Sequence, residues 1–206
     1  MKLNKKTVYH VLVAISCASL IGCGSVTRVE PLGNGYERVS YTQSSISEPE
    51  ATQITLQYRK PNGRRVMVWP SVYGYMIKDD VAVFVGDVAA KRPNPENSRA
   101  TDSRLFAVKA PELSLDITDE VLWRWSKESG EEFVKVRVAS IVYPKERDNG
   151  IEFHFARGVS DLNIFYDWNQ IFDIMREVKE KGVVRKDPVW GTSYIEKEFK
   201  PEIKSN

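Results

Sequence analysis

Residues 81–85 read Val-Ala-Val-Phe-Val, an apolar run that no polar residue interrupts. A strand with one face in water alternates apolar and polar residues, whereas a strand covered on both faces is apolar throughout. The run therefore predicts a central strand with packed layers on both sides. Residues 72–77 precede it across the turn Lys78-Asp79-Asp80 and are predicted to be its antiparallel partner.

A second hairpin is predicted upstream of this strand. Apolar residues alternate with polar ones over 54–58, and a second predicted strand, mainly apolar, covers 65–69. Between them stands Pro61-Asn62-Gly63, and an Asn-Gly pair is a strong signal for a tight hairpin turn because both residues tolerate the backbone angles that it needs.

A third hairpin is predicted downstream. Valines at 134, 136 and 138 alternate with Lys135 and Arg137. After a turn at 147–150, the apolar residues of 151–155 again occupy every second position. A last strand is predicted at 194–199.

Two helices interrupt the strands. The first covers about 118–129, with Thr118 as its cap and Gly130 as its stop. The second covers about 168–181 after Asp167, where Gln170 completes a capping box. Its packing stripe is predicted to be Trp168, Ile171, Phe172, Met175 and Val178. The fold class that follows is α+β, mainly an antiparallel sheet of hairpins with both helices packed on it.

The composition of the chain excludes several classes of protein. Of its 206 residues, 42% are hydrophobic and 28% are charged, with 30 basic and 28 acidic side chains. These values rule out a disordered tail, a collagen-like repeat and a polytopic membrane protein.

The first 22 residues have the pattern of a signal peptide. Lys2, Lys5 and Lys6 give a positive start, and residues 8–22 are apolar or small. A membrane-spanning helix needs about 20 apolar residues, so this run favours a segment that is removed. Removing three lysines leaves 27 basic and 28 acidic groups, a net charge of −1. That charge argues against nucleic acid as a partner.

The run ends in Leu20-Ile21-Gly22-Cys23, which resembles the lipobox of bacterial lipoproteins. The resemblance implies that a diacylglyceryl group is attached to the Cys23 sulfur, that cleavage falls between Gly22 and Cys23, and that the new terminus is acylated. Because Gly24 and not Asp follows, it also implies the outer membrane of a Gram-negative bacterium, with the protein facing the periplasm. Two alternatives are lipidation of Cys17, after Ala14-Ile15-Ser16, and an uncleaved N-terminal helix.

The remaining chain divides by composition. Residues 23–52 are rich in Ser, Thr, Gly, Pro and Glu and are predicted to be the lipidated N-terminus and a flexible linker, with a candidate short strand at 36–41. Residues 53–200 are predicted to form a single α+β domain and 201–206 a polar tail. Residues 87–103 form the longest stretch without a pattern, which is typical of a disordered or functional loop.

Few residues for catalysis or metal binding remain after processing, which leaves one histidine, His154, and one cysteine, Cys23. A structural zinc site needs four Cys or His ligands, so we expect no metal and no cofactor. His154 could act as a base with Glu152 beside it, but no activated serine can be named. The simpler interpretation is a half-exposed histidine opposite Lys135 or Arg137.

Positive charge is concentrated around the Asn62-Gly63 turn. Residues 51–78 contain no Asp or Glu, while four basic residues flank the turn: Arg59, Lys60, Arg64 and Arg65. This basic tip is a candidate site for an anionic surface such as lipid phosphates, lipopolysaccharide or peptidoglycan carboxylates. The alternative is a solvated turn whose charges aid solubility.

Negative charge is concentrated over residues 112–132. Paired carboxylates can hydrolyse glycosidic bonds, but the spacing does not bring two of them together, and Asp119 and Glu120 fit a helix start. The leading hypothesis is therefore a lipid-anchored envelope protein that binds or scaffolds without catalysis, its partner being an envelope protein, peptidoglycan or lipopolysaccharide. The alternatives are a carboxylate-based hydrolase of envelope polymers and a carrier of a lipid or other apolar ligand.

Overall fold

The computed structural model describes residues 24–45, 48–89, 101–137, 139–157 and 160–199. Its strands are β1 (Gly24–Gly33), β2 (Tyr36–Ser45), β3 (Glu48–Arg59), β4 (Arg65–Trp69), β5 (Val72–Lys78), β6 (Val81–Ala89), β7 (Thr101–Lys109), β8 (Ser114–Asp116), β9 (Ser140–Arg147), β10 (Gly150–Arg157), β11 (Ser160–Asp167), β12 (Gly182–Lys186) and β13 (Ser193–Lys197). Its helices are α1 (Thr118–Ser129), α2 (Phe133–Val136) and α3 (Trp168–Lys181).

A six-stranded sheet forms the middle layer, in the order β12-β13-β8-β7-β6-β5. Its pairs are antiparallel except β13 with β8, which run parallel. The hairpin of β5 and β6 is as predicted. Residues 81–88 of β6 are all buried, so the prediction of a strand covered on both faces is confirmed.

One face of this sheet is covered by α1, α3 and a three-stranded sheet of order β11-β10-β9. Val83 and Val85 of β6 meet apolar residues of all these elements in a single core, among them Leu122, Ile141, Phe153, Ile164 and Ile174. The α+β class is thus confirmed in its main features, an antiparallel framework with two helices of more than one turn packed on it.

The other face is covered by a four-stranded meander, β1-β2-β3-β4. Trp69, at the end of β4, is fully buried and lies 4.2 Å from Phe106 between ring centroids. Gly86 of β6 makes this approach feasible, because a Cβ at that position would lie 2.6 Å from the indole. The Tyr36 hydroxyl accepts a hydrogen bond from the Ala110 backbone N–H at 2.9 Å, which joins β2 to the chain just after β7.

Helix α3 begins as the sequence predicts. The Asp167 carboxylate accepts a hydrogen bond from the Gln170 backbone N–H, and the Gln170 side chain accepts one from the Asp167 N–H, both at 2.9 Å. The predicted packing stripe is wrong at Phe172, which is 38% exposed, while Ile174 is buried instead. Ile174 shares the helix face of Ile171 and Val178, whereas Phe172 is turned away from it.

The predicted cap of α1 is wrong, because the N-cap is Ile117. Thr118 lies within the helix, and its hydroxyl accepts a hydrogen bond from the Leu105 backbone N–H at 2.7 Å. The Thr118 side chain therefore binds β7 instead of capping the helix. Gly130 ends the helix in a left-handed conformation, as predicted.

The third predicted hairpin is wrong in its first strand. Residues 133–136 form the one-turn helix α2, and the partner of β10 is β9. The turn buries Val136 in the core and directs Arg137 to the Asp119 carboxylate, which a strand at this position would not do. Strand β11, which the sequence did not predict, pairs along the other side of β10.

The predicted flexible linker at 23–52 is wrong for the residues described, since β1, β2 and the start of β3 occupy them. The candidate strand at 36–41 is confirmed as part of β2. Strand β1 is exposed over residues 25–29, so its pairing with β2 rests on backbone hydrogen bonds that leave no apolar pattern. The predicted loop at 87–103 is also shorter, because β6 extends to Ala89 and β7 starts at Thr101. Residues 1–23, 90–100 and 201–206 lie outside the described residues.

Candidate functional site

The basic tip is the turn between β3 and β4, as predicted. The Lys60 backbone N–H donates to the Arg64 carbonyl oxygen at 2.9 Å, and the Gly63 N–H donates to the Lys60 carbonyl oxygen at 2.8 Å. The Asn62 side chain accepts a hydrogen bond from the Arg64 N–H at 3.1 Å. These three bonds fix the backbone that carries Lys60 and Arg64.

Glu37 of β2 enters this tip and engages half of its positive charge. Its two carboxylate oxygens each lie 2.7 Å from a guanidinium nitrogen, one of Arg59 and one of Arg65. Desolvation opposes ionisation of Glu37, but the hydrogen bonds from the two arginines outweigh it and hold its pKa below the usual value. Arg59 and Arg65 therefore brace the hairpin against β2, so two of the four basic residues of the tip pair with a carboxylate within the fold.

Lys60 and Arg64 remain for other partners. Arg64 is exposed and Lys60 is partly exposed, and within the described ranges neither forms an ion pair with an acidic side chain. The sequence missed Glu37 because it stands more than 20 positions before the basic residues. The one local signal is its place two residues after Gly35, since the Gly33-Asn34-Gly35 turn could have suggested that a strand begins there.

The tip lies at the end of the meander that is far from residue 24. Strand β1 runs from Gly24 to Gly33, and its turn into β2 is beside the basic tip, where the Arg59 N–H donates to the Gly35 carbonyl oxygen at 2.7 Å. Ten strand residues at roughly 3.3 Å each place about 30 Å between the start of β1 and this turn.

A groove of about 190 Å³ lies beside the hairpin. It runs between β4 and the residues around 110–114 and 192–193, and its apolar lining includes Tyr58, Val66 and Leu113. Sites for drug-sized ligands usually hold about 300 to 1,000 Å³, so this groove is small for a lipid and does not favour the carrier hypothesis.

The predicted acidic region supplies a buried ion-pair network at α1. Arg104 of β7 lies 2.9 Å from Asp116 and 3.2 Å from Asp119, and Arg137 reaches the second oxygen of Asp119 at 2.6 Å. Desolvation lowers the pKa of Arg104, but the two carboxylates outweigh it and raise that pKa. Burial raises the pKa of the Asp116 carboxyl.

Glu120 extends the network to the far side of α1. Its carboxylate lies 2.8 Å from Arg124 and 2.7 Å from Lys197, and Lys197 also lies 2.9 Å from Glu177 of α3. Asp119 and Glu120 lie in the first turn of α1, as predicted, and both are buried and bound to cations. Carboxylates held in this way join α1, α3 and β13, and they give no support to the hydrolase hypothesis.

Glu177 should make stability depend on pH. Hydrogen bonds from Lys181 and Lys197 lower its pKa to about 2, below the ordinary 4.5. Its contribution is therefore present above about pH 5 and is lost as the pH falls toward 2. We expect Glu177→Gln to be less stable at pH 7 and to show a shallower loss of stability between pH 5 and 2, measured by denaturant unfolding.

The control for this prediction is Glu180→Gln, which removes an exposed carboxylate from the same helix. The role of Glu177 would be contradicted by a Glu177→Gln protein that loses stability with falling pH as steeply as the wild type.

His154 faces away from the core beside Glu152, as predicted, but it lies opposite Tyr143 and Asn163 rather than Lys135 or Arg137. Its ring stacks on Tyr143 with 4.4 Å between centroids, and its Nε2 lies 3.0 Å from Glu152. Desolvation opposes ionisation of Glu152, but Arg147 and His154 outweigh it and lower its pKa. The surroundings of His154 are those of a cross-strand ladder.

Asp87, from the segment predicted as a loop, is buried at the end of β6. It accepts hydrogen bonds from the hydroxyls of Ser71, Tyr73 and Ser103. These donors lie in or next to β5 and β7, so the carboxylate joins three neighbouring strands. Its partners indicate a structural role.

The predicted lipidation site, Gly22 and Cys23, lies outside the described residues. Within the described residues, no three His, Cys, Asp or Glu side chains are grouped closely enough to hold a metal ion. None of the helices described there has the length and apolar character that a membrane span requires. No protein-family model, curated protein or solved structure matches the chain significantly.

Proposed function

We propose that this protein is a lipid-anchored protein of the bacterial envelope, attached through Cys23 to the outer membrane and acting in the periplasm by binding or scaffolding. The lipobox sequence Leu20-Ile21-Gly22-Cys23 at the end of a signal-peptide pattern supports the anchor. Two or more acyl chains hold a protein firmly at a membrane, whereas one chain holds it weakly.

The observation that carries this proposal is the start of β1 at Gly24, directly after the lipobox cysteine. Gly24 already pairs with Gln43 of β2, so the meander itself is the tether. A flexible linker would extend the reach of the domain, whereas a strand that starts directly after the cysteine limits that reach. An anchored protein of this kind keeps its far end within a limited distance of the lipid, which suits scaffolding.

Binding rather than catalysis is supported by the state of the ionisable groups. Asp119 and Glu120, the carboxylates considered for hydrolysis, are bound to arginine and lysine side chains inside the fold. His154 is held between Tyr143 and Glu152. Each of these side chains thus has a partner within the fold, whereas the basic tip presents Lys60 and Arg64 to other molecules.

Replacing the proposed lipid-bearing residue tests the anchor. We expect Cys23→Ala to abolish incorporation of labelled palmitate, because the thiol that carries the lipid is gone. The protein should also accumulate as the unprocessed precursor. The measurements are metabolic labelling and gel mobility of the full-length protein.

Cys17→Ala is the matched control, because it removes the other cysteine of the leader. That variant should be labelled and processed like the wild type. Label that persists on Cys23→Ala, or disappears from Cys17→Ala, would show that the anchor has been assigned to the wrong residue.

A further inference from the structure

We infer that Lys60 and Arg64, at the end of the meander far from the proposed lipid anchor, bind the carboxylates of the cell-wall polymer, peptidoglycan. This inference rests on the proposed lipid anchor and adds the partner. Glu37 pairs with two of the four tip cations, Arg59 and Arg65. Lys60 and Arg64 have no acidic partner within the described part of the chain.

The two cations are held on one small, ordered surface. Hydrogen bonds from Lys60 to Arg64 and from Gly63 to Lys60 close the turn, and Asn62 adds a third bond. The Glu37 brace beneath it orders the strands on both sides. An ordered turn loses little backbone conformational entropy when it binds, so the ordering cost is confined to the two side chains.

The position of the tip favours a partner other than the anchoring membrane. About 30 Å of strand separates the tip from residue 24, the first residue after the proposed lipid-bearing cysteine. Exposed charges interact weakly beyond about 8 Å at physiological salt. Headgroups at the lipid end of β1 are therefore screened from Lys60 and Arg64.

The partner must be anionic, must lie away from the membrane and must be within reach of an envelope protein. Peptidoglycan meets these conditions, because its peptide stems carry carboxylates and it lies in the periplasm between the two membranes. Lysine and arginine both pair with carboxylates, and arginine can do so through two parallel hydrogen bonds. The tip would then join the wall to the outer membrane across the length of the meander.

Co-sedimentation of the full-length protein with purified, insoluble peptidoglycan tests this inference. The protein is purified in detergent, and the bound fraction is measured against peptidoglycan concentration at physiological salt. The Lys60→Glu/Arg64→Glu double variant should bind at least about tenfold more weakly, because two attractive contacts with carboxylates become repulsive.

The matched control is Lys145→Glu/Arg176→Glu, which makes the same change in net charge at exposed residues of β9 and α3. It should bind as the wild type does. Equal loss in both double variants would mean that net charge, and not the tip, governs binding, and unchanged binding of the tip variant would overturn the inference directly.

Two further arms identify the ligand. Peptidoglycan whose carboxylates have been amidated should no longer bind the wild-type protein, and persistent binding would show that carboxylates are not recognised. Excess glycerophosphate, the soluble headgroup of an anionic phospholipid, should leave the wild-type protein bound to peptidoglycan, and release of the protein would assign the tip to a membrane. Palmitate labelling at Cys23 is read separately, so either proposal can fail alone.

Discussion

Replacing Arg104 with methionine should lower the free energy of unfolding by about 3 to 5 kcal/mol, the cost typical of removing one partner from a buried ion pair. The Arg104 side chain is 14% exposed and faces Asp116 and Asp119, whose side chains are 2% and 3% exposed. Methionine fills much of the same space but provides no charge. Two buried carboxylates would then lose a shared cation, while Asp119 would keep its ion pair with Arg137.

The experiment is denaturant unfolding of Arg104→Met beside Arg176→Met, whose arginine is exposed on α3 and pairs only with its helical neighbour Asp173 among the described residues. Arg176→Met should change stability by less than about 0.5 kcal/mol, as exposed helix pairs do. Adding Asp116→Asn to Arg104→Met should recover part of the loss by removing one uncompensated charge. Equal effects of the two arginine variants would refute a stabilising role for the network.

Replacing Trp69 with alanine should cost about 3 to 5 kcal/mol, the range for the largest buried side chains. Trp69 is fully buried, and its ring packs against Phe84, Phe106 and Tyr194 of the middle layer. Its indole N–H donates to the Asp87 carbonyl oxygen at 3.1 Å. The substitution therefore leaves a cavity and an unpaired backbone carbonyl between the meander and the central sheet.

Trp69→Phe is the control for size, because it keeps an aromatic ring and loses the hydrogen bond. It should cost less than Trp69→Ala. Limited proteolysis should also cut the β1–β3 region of Trp69→Ala faster than that of the wild type, since the contact that holds the meander has gone. A loss below about 1 kcal/mol in Trp69→Ala would show that the layers are joined by other contacts.

The elements that the sequence predicted correctly are those whose signals lie within a few residues. The Asn62-Gly63 turn and the Asp167 capping box each depend on neighbours in the chain, and both are present. The burial of β6 follows from the run 81–85 alone. Local backbone preferences and apolar spacing carry this information without knowledge of the rest of the fold.

The wrong predictions are at residues whose conformation depends on a partner that is distant in the sequence. Thr118 would cap a helix on its own, but Leu105 of β7 takes its hydroxyl. The valines after Phe133 alternate like a strand, yet burying Val136 and pairing Arg137 with Asp119 favours a helical turn. In both cases tertiary contacts outweigh a small local preference.

The candidate site also has features that neighbouring residues predict and features that only the fold decides. The concentration of Arg59, Lys60, Arg64 and Arg65 around one turn was evident from the sequence, because a hairpin brings its flanking residues together. The pairing of β1, β2 and β3 decides the rest. It brings Glu37 to two of these four basic residues, and it places the tip at the opposite end of β1 from residue 24.

By itself, the sequence determined the central strand, the turns, the start of α3 and the basic character of one hairpin, since each is encoded in adjacent residues. Only the tertiary structure decided that β1 is a strand rather than part of a linker, because its pairing with β2 depends on backbone hydrogen bonds and leaves no periodic apolar signal. It also decided which charges are engaged. Ion pairs form between groups that the fold brings within a few ångströms, and the members of these pairs lie up to 77 positions apart in the chain.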